Sequence, residues 1–405
     1  MPQREPSEWC PHFGECGGCS CQDVPYPQQL ERKERALREL FAAHWNAPIP
    51  VEPSPVIWHY RNRLDLHFAP KRYPEPPPEG FVRETVLGFK KKGRWYWPLE
   101  IDECRIGSDK LPRLVAAMRE WFRAEGLRAF DSRTKQGLLK ILLLREGKRT
   151  GERMVVLVTG DGACDKRAFV DAVLAAYPAT SIYHAVYRGS ADTAAGEEVA
   201  LLYGADAITE ILEVPTDSGT RQLRFRLSPF SFFQTNSAAT ERLYGKIRKW
   251  VQAAQPHVLY DLYGGAGGIA FSCADLVERV ISVESVESAS EDGVCNAAAN
   301  GIQKNVEFVT QKMKNYLREL LAGDGIGRQS AVVVDPPRAG LHPKALARLM
   351  ELRPPDILYV SCKPTVFARE LPYLLESYSM KNLEAVDLFP HTDHVELLAR
   401  LSLAD

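Results

Sequence analysis

Two short apolar segments of the sequence end abruptly in polar side chains that could do chemistry. Asp335 ends the run Val332-Val-Val-Asp, and Cys362 follows the run Ile357-Leu-Tyr-Val-Ser. Runs of this kind are typical of buried parallel strands that end at a loop. Because ligands of open α/β sheets bind beyond the carboxyl ends of the strands, we expect the carboxylate and the thiol to line one crevice. Cys362, next to the cation Lys363, is then a candidate nucleophile, and its alternative is a buried structural cysteine.

Glu396 is a third candidate, within the apolar run His394-Val-Glu-Leu-Leu-Ala. Burial would raise the pKa of its carboxyl toward a value that suits a general base. The alternative is a carboxylate satisfied at the end of a strand. His391 and His394 are possible partners, although an isolated histidine is more often structural.

A glycine-rich loop, Tyr260-Asp-Leu-Tyr-Gly-Gly-Ala-Gly-Gly-Ile, follows one expected strand and opens an expected helix. Glycines let the backbone approach a ligand closely. Glu284 lies twenty residues after Gly264, at the end of the next expected strand, where an acid can accept hydrogen bonds from both hydroxyls of a ribose. The loop lacks the spacing of a dinucleotide site and the Gly-Lys-Ser/Thr of a triphosphate site. With Asp335-Pro-Pro downstream, it favours S-adenosylmethionine as the cofactor over a mere tight turn.

The composition is that of an ordinary soluble globular protein of 405 residues, with a net charge of −1. No run of eighteen apolar residues predicts a membrane span, and the N-terminus has no apolar signal core. We therefore expect a cytoplasmic protein with no membrane partner and no obligate protein partner, a monomer by default.

Four cysteines, Cys10, Cys16, Cys19 and Cys21, lie within twelve residues near the N-terminus. In a cytosolic chain this spacing indicates a metal site rather than disulfides. Structural zinc and an iron–sulfur cluster both bind four thiolates on a short loop, and the spacing does not separate them. Cys104 is a more distant candidate for the fourth ligand, which would leave Cys21 spare.

The elements that must position these residues fall into three segments, expected at residues 1–27, 28–229 and 230–405. In the central segment, patterns predict strands near 63–68, 85–89, 138–144, 154–158 and 223–227, and helices near 28–45, 111–124 and 166–176. In the last segment, strand-like runs near 258–262, 279–283, 306–309, 331–334 and 357–360 alternate with helical patterns, which predicts a parallel sheet covered on both faces. The final two strands, near 383–388 and 395–401, are expected to form a hairpin at one edge.

The stretch from Trp58 to Trp97 is basic and aromatic, with nine Lys or Arg against four Asp or Glu. Such a surface suits phosphate neutralisation and base stacking, and a solvated β-hairpin is equally compatible with it. The sequence therefore offers a candidate RNA-binding surface in the central segment.

Eight motifs occur in an order and spacing that resemble the RNA uracil-C5 methyltransferase family. They are Cys10-x5-Cys16-Gly-Gly-Cys19, Tyr60-Arg-Asn-Arg, Gly147-x3-Gly151-Glu, Phe230-x3-Gln234-x-Asn236, Asp261-Leu-Tyr-x-Gly, Asp335-Pro-Pro-Arg, Ser361-Cys362 and Phe389-Pro-His-Thr-Asp-His394-Val-Glu396. The chain is similar in particular to the iron–sulfur branch that modifies 23S ribosomal RNA. The start of the chain resembles a short form of that branch without the N-terminal TRAM domain, so we expect the central segment to grip most of the RNA.

This resemblance implies an enzyme that methylates C5 of a uridine in 23S rRNA, forming 5-methyluridine, with the T-loop uridine of tRNA as the alternative substrate. The implied fold is α/β: a C-terminal Rossmann-like S-adenosylmethionine methyltransferase domain, a β-rich α+β central domain and an N-terminal iron–sulfur loop. Cys362 is the implied nucleophile and Glu396 the implied general base. The implied cofactor-binding residues are Gln234, Tyr263, Glu284 and Asp335. The implied ligands of a 4Fe-4S cluster are Cys10, Cys16, Cys19 and Cys104.

Some features depart from the family pattern or admit another class. Gly268 stands where some members have Asn, and Cys21 is an additional thiol. An amino-methyltransferase that uses Asp335-Pro-Pro is an alternative enzyme class, and it would not need Cys362. A non-catalytic iron–sulfur RNA-binding protein is a further alternative, which leaves Cys362 and Glu396 unexplained.

Overall fold

The computed structural model describes residues 9–404 except 76, 79 and 192, and leaves the side chain of Trp95 aside. The described helices are α1 (Tyr26–Phe41), α2 (Leu111–Ala124), α3 (Lys166–Ala176), α4 (Ser237–Ala254), α5 (Gly268–Cys273), α6 (Glu287–Ala299), α7 (Met313–Ala322), α8 (Pro343–Leu352) and α9 (Pro364–Leu374). The described strands are β1 (Val51–Glu52), β2 (Arg63–Pro70), β3 (Thr85–Lys91), β4 (Arg94–Glu100), β5 (Leu139–Glu146), β6 (Arg153–Thr159), β7 (Ser181–Val186), β8 (Glu198–Gly204), β9 (Ile208–Thr216), β10 (Gly219–Leu227), β11 (Val258–Leu262), β12 (Arg279–Glu284), β13 (Val306–Thr310), β14 (Ser330–Val334), β15 (Asp356–Ser361), β16 (Tyr378–Val386) and β17 (Glu396–Leu403). None of these helices is long and apolar enough to cross a membrane.

One compact unit contains the chain up to Pro25 together with Ile57–Glu210 and Leu227–Phe230. Its seven-stranded sheet has the order β4-β3-β2-β5-β6-β7-β8. Neighbouring strands are antiparallel except β6 and β7, which run parallel. Apolar side chains of β2 alternate with polar ones, so that Leu64 and Leu66 join the core that α2 and α3 complete.

The second unit contains Tyr26–Val56, Ile211–Arg226 and Ser231–Asp405. Its eight-stranded sheet has the order β1-β16-β17-β15-β14-β11-β12-β13. Five neighbouring strands of this sheet are parallel to one another: β15, β14, β11, β12 and β13. Strand β17 pairs antiparallel with both β15 and β16. Long buried runs such as β14 form here because both faces of a parallel sheet are covered.

The structure corrects the expected position of the final hairpin. The two strands form an antiparallel pair, but they do not end the sheet, because Val51 of β1 pairs with Ala385 on the far side of β16. A two-residue strand carries too little pattern to be recognised from the sequence.

The two units also differ from the segments expected with boundaries at residues 28 and 230. Helix α1 belongs with the second unit because Leu37 and Phe41 lie in the core of that unit, where the Phe41 ring packs 5.8 Å from the ring of Phe367. The same holds for β10, whose Arg226 backbone N–H donates to Asn296 of α6. Such grouping depends on tertiary contacts, which composition and periodicity do not contain.

Candidate active site

The carboxyl ends of neighbouring parallel strands bring the candidate residues to one edge of the second sheet. Asp335 follows β14, and Cys362 follows β15 directly before α9. Helix α9 begins at Pro364, a residue well suited to a first helical turn, so the chain turns at once after the thiol. Glu396 opens β17, where Leu397 is paired with Ser361, and this register places the Glu396 carboxyl beside Cys362.

The Cys362 thiol is half-buried and lies near two carboxyl groups and one cation. Burial raises its pKa to about 11, and the charges of Glu396 and Asp335 act in the same direction. The guanidinium of Arg338 lowers the pKa of this thiol. The thiolate is therefore disfavoured while both carboxyls are ionised, and it becomes more accessible when one of them carries a proton.

The carboxyl groups of Asp335, which is half-buried, and Glu396, which is buried, lie close enough to influence each other. Burial raises the pKa of Asp335 to about 7, and burial followed by the charge of Asp335 raises the pKa of Glu396 well above its ordinary value. The Glu396 Oε1 atom has no hydrogen-bond partner among the described residues. A carboxyl of this kind is poised to accept or release a proton near neutral pH.

The glycine-rich loop is built around strand ends and unusual backbone angles. Tyr263 has a φ of 71°, and the N–H groups of Tyr263 and Gly264 both donate to Val283 O at 3.0 Å. A Cβ at Gly264 would lie 1.9 Å from Ser282 Oγ, so any other residue there would displace that side chain. Glu284 Oε2 accepts from Gly265 N at 3.1 Å, which fixes its carboxylate against the loop.

Asp261, at the end of β11, supports the loop from inside the sheet. Its Oδ2 atom accepts the N–H of Ala270 in α5 at 3.1 Å, while Oδ1 has no partner among the described residues. Burial, with the charge of Asp335 second, raises the pKa of Asp261 to about 7. The unpaired Oδ1 atom and the four glycines of the loop leave polar and steric room for a nucleoside-type ligand.

The loop closes one side of a cavity that three of the predicted cofactor residues share: Gln234, Tyr263 and Asp335. Gln234 Nε2 donates to Asp335 Oδ2 at 3.4 Å. Asn236, the last residue of the Phe230-x3-Gln234-x-Asn236 motif, has a structural role. Its side chain caps α4 by accepting the N–H of Ala239 at 3.1 Å. The fourth predicted residue, Glu284, contacts the same loop through Gly265.

Sequence reasoning missed two residues of the site. Tyr244 of α4 is buried, and its pKa is raised by burial and by the carboxyls of Asp335, Asp261 and Glu396, which places its hydroxyl among them. A Cβ at Gly268 would lie 2.3 Å from the Tyr244 hydroxyl, so the glycine that departs from the family pattern makes room for this tyrosine. Arg338 is part of the Asp335-Pro-Pro-Arg motif, but the motif does not predict that its charge lowers the Cys362 pKa. That effect depends on which strands are neighbours in the sheet.

The chain from residue 193 to 402 matches the family model described as tRNA (Uracil-5-)-methyltransferase. A tRNA (uracil(54)-C(5))-methyltransferase of Pyrococcus horikoshii is 34% identical over 393 residues, 97% of this chain and 85% of the relative. This protein belongs to the tRNA (uracil-5-)-methyltransferase family. An uncharacterized RNA methyltransferase of Caldanaerobacter subterraneus is 34% identical over 97% of this chain and 84% of the relative.

A solved structure agrees with this family membership. The tRNA (uracil-54, C5)-methyltransferase of Pyrococcus abyssi, in complex with S-adenosyl-L-homocysteine, is 30% identical. It covers 95% of this chain and 85% of its own chain, with a TM-score of 0.73. The uracil-5-methyltransferase described here therefore has an α/β methyltransferase fold and uses S-adenosylmethionine to methylate C5 of uracil in RNA. The relatives do not confirm the 23S ribosomal RNA branch that the sequence resemblance implied.

Four thiols of this uracil-5-methyltransferase lie near one another in the first unit. Burial raises the pKa of Cys19 to about 12, and the charges of Cys104, Cys16 and Cys10 add to this effect. Burial likewise raises the pKa of Cys104 to about 11, with Cys10 and Cys16 contributing. No three His, Cys, Asp or Glu side chains in the described part of the chain are arranged to hold a metal ion. The thiols are thus neighbours whose sulfur atoms do not converge as ligands do.

Backbone hydrogen bonds tie the N-terminal loop to the sheet beside Cys104. Gly17 N donates to Lys90 O at 3.0 Å, and Lys92 N donates to Glu15 O at 2.7 Å. The His12 ring accepts the N–H of Asp102 at 2.9 Å. These contacts bring the loop of Cys10, Cys16 and Cys19 to the segment that carries Cys104.

Proposed function

We propose that this enzyme forms 5-methyluridine in the T-loop of tRNA, at the uridine corresponding to the uracil 54 named for its relatives. The observation that carries the chemistry is the Cys362 thiol beside the carboxyls of Asp335 and Glu396, next to a glycine-rich loop. Substrate choice is supported by the relatives whose names give a substrate, since these act on tRNA. We therefore prefer tRNA over the 23S rRNA expected from the sequence.

The residues around the loop fit S-adenosylmethionine. Gln234, Tyr263, Glu284 and Asp335 are the proposed cofactor-binding residues, with the Glu284 carboxylate placed to accept hydrogen bonds from ribose hydroxyls. The bound cofactor supplies, as a sulfonium, the methyl group that C5 of uracil accepts.

Cys362 is the proposed nucleophile. Addition of its Sγ to C6 of uracil converts the ring into an enolate and places electron density on C5, which is otherwise a poor nucleophile. Arg338 favours the thiolate form that this attack needs, since its charge lowers the Cys362 pKa. The target base must leave the RNA stack to reach the thiol, as in other enzymes that act on bases.

Glu396 is the proposed general base. Once C5 is methylated, its proton must leave, and the Glu396 carboxylate can take it because β17 places it beside Cys362. Departure of Cys362 from C6 then restores the double bond of the product. The raised pKa of this carboxyl suits proton transfer near neutral pH.

We also propose that Cys10, Cys16, Cys19 and Cys104 bind a 4Fe-4S cluster. The support is the proximity of the four thiols and the loop contacts that bring the first three to the fourth. The proposed reaction needs no electron transfer, so the cluster would act in folding the N-terminal segment. Cys21, which is buried, is the competing fourth ligand.

Mass spectrometry of nucleosides from transcribed RNA tests the proposal. A tRNA transcript incubated with the enzyme and S-adenosylmethionine should gain one 5-methyluridine, and a transcript with cytidine at the position named for the relatives should gain none. A 23S rRNA transcript serves as the second substrate. Methylation of the 23S transcript alone would overturn the tRNA assignment, and methylation of an exocyclic amine would overturn the reaction class.

A further inference from the structure

A groove in the first unit is lined by residues that the proposed reaction does not use. It has a volume of about 460 Å³ and runs along β2, β3 and β4, bounded by the segment before β5 and by the chain after β7. The helices α2 and α3 pack in a core with Leu64 and Leu66, which alternate along β2 with groove-side residues such as His67. The groove is therefore a surface of the sheet rather than part of the core.

The described lining of the groove has an excess of positive charge. It contains five cations, Arg72, Arg83, Lys90, Arg133 and Lys140, against one acid, Asp131. Asp131 Oδ1 already accepts the backbone N–H of Arg133 at 2.8 Å. This balance suits a polyanion.

Acids close to the groove are already paired with other cations. Glu84 forms an ion pair with Lys71 at 2.9 Å, and Glu197 forms one with Arg188 at 3.2 Å. No ion pair joins Arg72, Arg83 or Arg133 to another residue that the structure describes. Their charges are thus available to a ligand.

The groove also has aromatic walls, one of which is firmly held. Lys140 is buried and donates to the carbonyls of Tyr187 and Gly189 at 2.6 and 2.8 Å, while its Nζ lies 4.1 Å from the centre of the Phe130 ring. Tyr96 also lines the groove beside the cations, and 53% of its surface is exposed. An exposed ring next to guanidinium groups is a platform for a nucleobase.

We propose that this groove binds a single-stranded segment of the substrate RNA outside the target uridine. A base of that segment stacks on Tyr96, and its phosphates contact Arg72, Arg83 and Arg133. This inference depends on one part of the proposed function, namely that the substrate is RNA. It adds a second RNA contact site, remote in sequence from Cys362.

The test compares two triple variants of the full-length enzyme by fluorescence anisotropy with a tRNA transcript at several salt concentrations. The groove variant carries Arg72→Ala, Arg83→Ala and Arg133→Ala. The control carries Arg113→Ala, Lys166→Ala and Arg167→Ala, exposed cations of α2 and α3 that change the net charge equally. Three lost phosphate contacts should reduce the slope of log K against log salt by roughly 2 in the groove variant. The control slope should stay unchanged.

Tyr96 supplies a second readout. Tyr96→Ala should weaken RNA binding and raise KM by roughly 5- to 100-fold, as expected for the loss of one stacked base, whereas Tyr96→Phe should restore both. The kcat at saturating RNA and the affinity for S-adenosylmethionine should stay within about twofold, because neither ligand site is touched.

Several outcomes would overturn the groove assignment. Equal salt slopes in both triple variants would do so, as would a Tyr96→Phe variant as weak as Tyr96→Ala. Wild-type enzyme that binds the tRNA without methylating it would contradict the proposed function alone, and the comparison of variants would still decide the groove. If the wild type bound neither tRNA nor 23S transcripts, both proposals would fail.

Discussion

Cys362 illustrates how one residue can depend on charges from distant parts of the sequence. Two carboxyls on neighbouring strands oppose its ionisation, whereas the Arg338 guanidinium favours it. The reactivity of the thiol therefore depends on a balance that substrate and cofactor binding can shift. Sequence analysis assigned the favourable cation to Lys363, the adjacent residue, whereas the structure adds Arg338 from the loop after β14.

We predict that Arg338→Gln raises the Cys362 pKa and slows its alkylation by iodoacetamide at pH 8 by several-fold, because an attractive charge is removed. Alkylation rates measured from pH 7 to 11 report the pKa. Arg369→Gln, an exposed arginine on α9, is the matched control. Unchanged profiles in Arg338→Gln would show that this guanidinium does not act on the thiol.

Asp261 gives a prediction about stability and pH. Its pKa is raised from 3.8 to about 7 in the folded protein, so the folded state binds the proton more tightly than the unfolded chain. The stability that this proton contributes is fully present below about pH 4 and is lost as the pH rises through about 7. The Asp261→Asn variant should not lose this stability as the pH rises, because its amide does not ionise. Its melting temperature relative to wild type should therefore be higher at pH 8 than at pH 5, measured without ligands, and an equal difference at both pH values would contradict the assignment.

At the scale of elements, the strands of the parallel sheet were predictable, whereas several strands of the first unit, among them the buried β7, were not. Strands β11, β12, β13, β14 and β15 were expected within a few residues, since parallel strands covered on both faces are continuous apolar runs. Strand β8 was missed because it lies at a sheet edge, where Val199, Leu201 and Tyr203 are exposed. The chemistry of Cys362 and Glu396 could be proposed from residue type and motif. The contributions of Tyr244 and Arg338 could not, because they depend on which elements become neighbours.

Helix α1 has a role that its sequence did not reveal. Its Lys33 Nζ lies 2.7 Å from Asp387 Oδ1, with both side chains buried, and its Gln29 Oε1 accepts the backbone N–H of His391 at 2.9 Å. His391 has a φ of 67°, a strained conformation for a non-glycine residue. Helix α1 therefore positions the loop that leads into Glu396.

Breaking the buried pair should destabilise the second unit and disturb the site. Lys33→Met leaves the Asp387 carboxylate buried without its cation, which should cost about 3–5 kcal/mol in urea unfolding. The double variant Lys33→Met/Asp387→Leu should recover much of that stability without recovering kcat, since the loop loses its anchor. Full kcat in the double variant would mean that the pair stabilises the fold without positioning Glu396.

At the scale of the whole molecule, the proposed cluster would link the N-terminal loop of Cys10, Cys16 and Cys19 to Cys104, which is distant in the sequence. We predict that Cys104→Ala lowers the bound iron and sulfide and the visible absorbance of anaerobically purified enzyme, because it removes one of four ligands. Cys21→Ala should retain them and serves as the control. The opposite result would make Cys21 the fourth ligand, and wild-type protein with zinc instead of iron would refute the cluster.

Covalent trapping on 5-fluorouridine-substituted tRNA tests the central claim most directly. Fluorine at C5 cannot leave as a proton, so Glu396 has nothing to remove and the adduct between Cys362 and C6 should persist on a denaturing gel. We expect a cofactor-dependent adduct with wild-type enzyme and none with Cys362→Ala. An adduct that survives in Cys362→Ala, or methylation of ordinary tRNA by that variant, would contradict the proposed mechanism.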